Sequence, residues 1–174
     1  CIPTKSLIHE SEISTLLYHD NFDKQSNMYT QAIARKNKLT SFLRENNYER
    51  LSKRPNVTIY TGMGSFVSPN TVKVVLSEEE IELQGKEIFI NTGSTPIIPN
   101  IEGIQQSRNV YTSTTLLDLD ILPKHLIIIG GGYIGLEFAS MYAGFGSKVT
   151  ILEIGNRFMP RNDSDIAKSI REVM

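Results

Sequence analysis

The segment HLIIIGGGYIGLEFA, residues 125–139, leaves a chain few ways to fold. Leu126–Ile129 is an uninterrupted apolar run of strand length, as expected for a parallel strand buried on both faces. It leads directly into Gly130-x-Gly132-x-x-Gly135. Helical spacing of apolar residues then begins at Phe138, Ala139, Met141 and Tyr142 and ends near Gly144–Gly146. A second strand, KVTILE, follows and closes on Glu153. Strand, glycine turn, helix and strand in this order make a βαβ unit. In it Gly130 forms the tight turn, Gly132 lets a pyrophosphate approach without meeting a Cβ, and Gly135 lets the helix lie close to the strand.

A glycine motif alone is weak evidence, but here its surroundings agree with it. Amide groups of the stretch Gly130–Gly135, including Gly131, Tyr133 and Ile134, are expected to face the phosphates at the positive end of the helix. Glu153 lies about twenty residues beyond the glycines, where a ribose-binding carboxylate belongs. A carboxylate there accepts hydrogen bonds from both ribose hydroxyls and repels a 2′-phosphate. NAD(H) is therefore expected in preference to NADP(H), with Arg157 placed to soften the repulsion.

Upstream, residues 5–17 carry Leu7, Ile8, Ile13, Leu16 and Leu17 near one helical stripe, with Thr4 or Ser6 as candidate caps. A polar break at 19–27 precedes a second helix marked by Met28, Ala32, Leu39, Phe42 and Leu43, closing at RENN (44–47). From Pro55 the period changes to that of strands: VTIY (57–60), SFV (65–67), TVKVVL (71–76), EIEL (80–83) and EIFIN (87–91), separated by turn residues. These predict a small antiparallel meander. Residues 95–110, with Pro96, Pro99 and Gly103, read as a linker.

Composition limits function. A net charge of −1 over 174 residues provides no basic field for nucleic acid or anionic lipid. The apolar runs are too short to span a bilayer, so no membrane partner is expected. A single cysteine, Cys1, rules out an internal disulfide framework and points to a reducing, cytoplasmic setting. The three histidines show no metal-ligand spacing with one another or with Cys1, so no metal site is expected.

Three ordered motifs, CIPTK, INTGSTPIIPNIEG and GGGYIGLEFA, resemble the class I pyridine nucleotide-disulfide oxidoreductases, the flavoprotein disulfide reductases. The likeness is greatest to the bacterial branch that includes mercuric reductase, dihydrolipoamide dehydrogenase and reactive-chlorine-resistance flavoproteins. The resemblance implies an α/β fold of Rossmann-like FAD- and NAD(P)-binding domains with an antiparallel meander. Residues 1–112 would be the later part of an FAD-binding segment, and 113–174 the first half of an NAD(H) domain.

It further implies that Cys1 is the flavin-proximal thiol of a Cys-x4-Cys redox pair whose other member lies upstream. The helix start and Lys5 would favour negative sulfur there. By the same resemblance Lys5 lies beside flavin N5, and Glu137 pairs with Lys5 and contacts the nicotinamide amide. Independently, a glutamate within apolar GLEFA calls for a partner. Tyr133 matches a tyrosine that covers the flavin in some members, and packing is an equal alternative for it. Gly64, Thr92, Gly93 and Ser94 match backbone contacts to FAD, although as residues they pass for ordinary turns.

The implied parent is a substantially longer homodimeric enzyme, with an FAD glycine motif and an acid–base His–Glu pair outside these residues. It would pass electrons from NAD(P)H through FAD to a small-molecule or disulfide acceptor. The piece alone is expected to be inactive. Flavin-dependent reduction of metal ions or quinones, and a non-catalytic NAD-binding module, are the alternatives.

Overall fold

Proline near a helix start costs no hydrogen bond, because first-turn amides have no intrahelical partner. Pro3 accordingly sits in the first turn of α1 (Ile2–Tyr18), whose N-cap is Cys1. Thr4 does not cap; its hydroxyl donates to the Cys1 carbonyl at 3.0 Å. In the computed structural model, which describes residues 1–155, 158–159 and 162–174, the chain runs α1, α2 (Phe22–Ser52), β1 (Met63–Ser68), β2 (Thr71–Val75), β3 (Glu80–Gln84), a 3-10 turn (Thr115–Asp118), β4 (His125–Ile129), α3 (Tyr133–Gly144), β5 (Lys148–Leu152) and α4 (Ser164–Val173).

The polar break after α1 is shorter than its composition predicts. Asn21 starts α2 at once, its side chain accepting from the Lys24 amide at 3.1 Å. RENN does not end α2, which continues to Ser52.

Packing divides the chain into two units, Cys1–Ser41 with Pro96–Met174, and Phe42–Thr95. In the second unit β1, β2 and β3 form an antiparallel sheet in that order, with Met63 opposite Val75, Thr71 opposite Gln84 and a register shift between Phe66 and Ser68. The predicted meander thus has three strands. VTIY (57–60) and EIFIN (87–91) form no ladder among the described residues, and Phe89 and Ile90 are exposed.

In the first unit β4 and β5 are parallel neighbours, with Leu126 opposite Val149 and Ile129 opposite Leu152. The core joins Leu7 of α1, Tyr29, Ala32 and Ile33 of α2, Leu116 and Leu122, and Phe138, Met141, Tyr142 and Phe145 on and after α3.

The buried face of α1 differs from the predicted one. Leu7, Ser11 and Ser14 are buried while Leu16 and Leu17 are exposed. Small residues face α3 because the helices cross too closely for larger ones. A Cβ on Gly144 would lie 2.9 Å from Ser11 Oγ and 3.2 Å from the Ser11 carbonyl oxygen. Thr15 Oγ1 donates to the Gly144 carbonyl at the same crossing, at 2.9 Å. On α2 the buried positions are Gln25, Tyr29, Ala32, Ile33 and Lys36, so of the expected stripe Met28, Ala32, Leu39, Phe42 and Leu43 only Ala32 is buried. The inward face is therefore partly polar.

Tyr29 and Lys36 are satisfied by the chain that leads into β4, and Gln25 by the Gly144 carbonyl. Tyr29 Oη lies 2.7 Å from the Leu119 carbonyl and 2.9 Å from Tyr142 Oη, and Tyr142 Oη lies 3.1 Å from the Leu116 carbonyl. These three interactions share two hydroxyl protons. The shortest is best served by Tyr29 donating to Leu119, which leaves Tyr142 to donate to Tyr29 and, less directly, to Leu116. Burial pushes the Tyr29 hydroxyl up to about 12 and raises Tyr142 as well.

Tyr29→Phe leaves the Leu119 carbonyl without its donor, and is expected to cost about 1–3 kcal/mol of stability, measured by urea unfolding. A change within a few tenths of a kcal/mol would mean that water replaces the hydroxyl.

Candidate functional site

The glycine turn is built by close approach between backbone segments. Gly130 adopts φ +108°, which L side chains rarely tolerate, and its amide donates to the Leu152 carbonyl at 2.8 Å, extending the β4–β5 ladder. A Cβ on Gly135 would collide with the Gly130 carbonyl oxygen and approach Ile128 Cγ2 at 3.3 Å. Over Gly132, the N-cap of α3, a Cβ would meet nothing within 4 Å, and no side chain caps this helix start. Open space above an uncapped helix N-terminus is the cradle that a dinucleotide pyrophosphate requires, so the residues fit that group. Tyr133 and Ile134, the first residues of α3, are both exposed beside it.

Glu153, just beyond β5, turns back over this loop. Its Oε2 accepts from the Gly131 amide at 2.7 Å and its Oε1 from the Gly155 amide at 3.2 Å. These bonds hold the carboxyl below the usual carboxylate range, Gly131 contributing most. Spacing alone does not reveal that a motif amide, Gly131 N–H, positions the acidic residue. The available signal is Gly131 itself, since a Cβ there would stand 3.2 Å from Glu153 Oε2. Arg157 lies outside the described residues.

On α1, Cys1 and Lys5 lie one turn apart, the Lys5 amide donating to the Cys1 carbonyl at 3.0 Å. Cys1 is a free, exposed cysteine. Lys5 Nζ lies 2.9 Å from Glu137 Oε1, joining residues 132 positions apart. The Lys5 side chain is 70% exposed and that of Glu137 25%, so the pair is held together yet open to solvent. Lys5 is the chief cause that lowers the Glu137 carboxyl, with help from the Thr4 hydroxyl and against partial desolvation. Glu137 and Glu153 are therefore both anionic at neutral pH. Because both pKa values are depressed, what ionisation contributes is present above the ordinary carboxylate value and lost as pH falls through the depressed one.

In the second unit Gly64 lies in β1 opposite Val74, and Gly93, between Thr92 and Ser94 outside any helix or strand, has φ +77°. Among the described residues no group of three His, Cys, Asp or Glu side chains could hold a metal ion, and no helix is long and apolar enough to cross a membrane.

A sequence model of the pyridine nucleotide-disulphide oxidoreductases matches residues 1–174. The chain belongs to that family. Its members are FAD-dependent and use pyridine nucleotides. A probable pyridine nucleotide-disulfide oxidoreductase of Escherichia coli K12, RclA, is 44% identical over all of this chain and 37% of its own length. A mercuric reductase of Lysinibacillus sphaericus is 32% identical, over all of this chain and 32% of its own length. The solved structure of the E. coli protein, an HOCl-induced flavoprotein disulfide reductase, superposes with a TM-score of 0.84 at 44% identity, covering 99% of this chain and 36% of that one. The chain thus spans about a third of the length of these relatives.

The Gly131–Glu153 bond can be checked by NMR. The Gly131 amide proton is expected to titrate with a midpoint below about 4.3, the ordinary glutamate value. An inflection at or above that value, or none, would show that the carboxylate does not sit on this amide.

Proposed function

We propose that the protein carrying this chain passes electrons from NADH through FAD to a Cys-x4-Cys pair, of which Cys1 is the flavin-proximal member, and on to a disulfide or small-molecule acceptor. The observation that carries this reading is the Lys5–Glu137 ion pair, one helical turn from an exposed cysteine and on the helix that opens at an uncapped glycine cradle. FAD, when bound, supplies the two-electron chemistry between nicotinamide and thiols. Lys5 and Glu137, an exposed charged pair beside a thiol, suit a polar flavin edge.

The turn at Gly132 and the first amides of α3 would bind pyrophosphate, since the Gly130 and Gly131 amides are taken by Leu152 and Glu153, and Glu153, pinned by Gly131 and Gly155, would accept from the ribose hydroxyls. Glu137 holds Lys5 with one oxygen and offers the other to the nicotinamide amide. Tyr133 would cover the flavin side, and Gly64, Thr92, Gly93 and Ser94 would contribute backbone contacts to FAD. Residues 1–112 belong to the FAD-binding segment and 113–174 to the NAD domain of a cytoplasmic homodimer.

A second reading, with a metal ion as acceptor, draws on the mercuric reductase relative and on the structure of the E. coli protein solved as a Cu(II) complex. Comparing NADH oxidation by the full-length protein with Cu(II), Hg(II) or a small disulfide as acceptor separates the two.

In stopped-flow measurements on the full-length flavoprotein, Glu137→Gln is expected to slow flavin reduction by NADH at least tenfold with FAD still bound. An unchanged rate removes Glu137 from the site. NADH is expected to exceed NADPH in kcat/KM by about ten- to hundredfold, the usual worth of one hydrogen bond to a ribose hydroxyl replaced by repulsion. Equal values would contradict the role given to Glu153.

A further inference from the structure

Lys36 has no part in the electron path proposed for Cys1, Lys5 and Glu137, yet it is among the most buried polar residues of the chain, at 3% exposure. It stands at the last position of the stripe Tyr29, Ala32, Ile33, Lys36, where the spacing calls for an apolar side chain. A buried ammonium is tolerated only when its donors are used. Its Nζ donates to the Leu117 carbonyl at 2.7 Å and to Asp118 Oδ1 at 3.2 Å. Asp118 is largely exposed, so the backbone carbonyl is the dry partner.

The same side of α2 holds the next residues of the segment that leads into β4. Tyr29 takes the Leu119 carbonyl and Thr30 Oγ1 the Asp120 carbonyl, at 3.2 Å. Carbonyls 117, 119 and 120 are thus fixed to one helix immediately before the chain enters β4 and the glycine turn. The Tyr29–Tyr142 hydrogen bond ties α2 to α3 as well, on the helix that carries Glu137.

We propose that Lys36 is a positioning residue. By anchoring the 117–120 segment along α2 it fixes β4 and α3 against α1, and so sets Glu137 against Lys5 before any ligand binds. Lys36 touches neither the glycine loop nor Glu153. Its loss should therefore disturb the approach of nicotinamide to flavin more than dinucleotide affinity. The proposal rests on the role given to Lys5 and Glu137 above.

The test uses the FAD-loaded full-length protein and stopped-flow flavin reduction over a range of NADH concentrations. Lys36→Met is expected to lower the limiting reduction rate about five- to tenfold while the apparent Kd for NADH changes less than twofold. In the Glu137→Gln background the same substitution should add less than twofold, because both act through one ion pair. A fall in affinity with the limiting rate intact, or effects that multiply in full, overturns the proposal. Should Lys36→Met not fold, Thr30→Val combined with Asp118→Ala removes two exposed parts of the same anchor. A limiting rate reduced at least twofold in that variant supports the proposal, and an unchanged one overturns it. If Glu137→Gln alone leaves the rate unchanged, the reading of the site fails, independently of Lys36.

Discussion

The crossing of α1 over α3 allows only small side chains where the helices meet, and much of the first unit depends on that restriction. Ser11 and Ser14 from one helix and Gly144 from the other bring the two axes close. A Cβ at Gly144 alone would stand 2.9 Å from Ser11 Oγ, so something at the crossing would have to shift. With the helices that near at the C-terminal end of α3, the same helix can present Glu137 to Lys5 nearer its start. An ion pair between residues this far apart in sequence is therefore a consequence of packing made elsewhere. Being solvent-exposed on the lysine side, it adds little to stability on its own. Its value lies in placement.

Electrostatics in the chain follow a common plan at two places. Glu137 and Glu153 are each lowered chiefly by a donor from a distant part of the sequence, Lys5 in one case and the Gly131 amide in the other. Each carboxylate is thereby held in one orientation by the chain itself. Gly131 also joins two parts of the motif, since it lies in the glycine turn and its amide fixes the Glu153 carboxylate.

The βαβ unit was legible in the sequence because period, glycine spacing and the terminal acid all agreed, and β4, α3 and β5 lie where they were expected. The three-motif resemblance located the family, and the apolar context of Glu137 signalled that it needs a partner. The inward faces of α1 and α2 were misread for one reason. Hydrophobic periodicity seeks large apolar residues, whereas these helices bury Ser11, Ser14, Gln25 and Lys36 and leave Leu16, Leu17 and Phe42 outside. A lysine in register with Tyr29, Ala32 and Ile33 was the visible clue. The strands expected at 57–60 and 87–91 have the composition of strands, but a strand exists only with a partner, and composition names none.

The pair of tyrosine hydroxyls inside the core sets an upper bound on the conditions in which this arrangement persists. Tyr29 ionises near 12 rather than 10 because its surroundings are dry, so the folded chain favours the neutral phenol more than the unfolded chain does. That preference stabilises the fold fully below about pH 10 and is lost as pH climbs toward 12. The carboxylates work in the opposite sense, losing their contribution only in acid. The junction of α2 with α3 and the placement of Glu137 are thus limited by alkali and by acid respectively. Between those limits neither the two tyrosines nor the two carboxylates change charge, so the α2–α3 junction keeps the same hydrogen bonds across the neutral range.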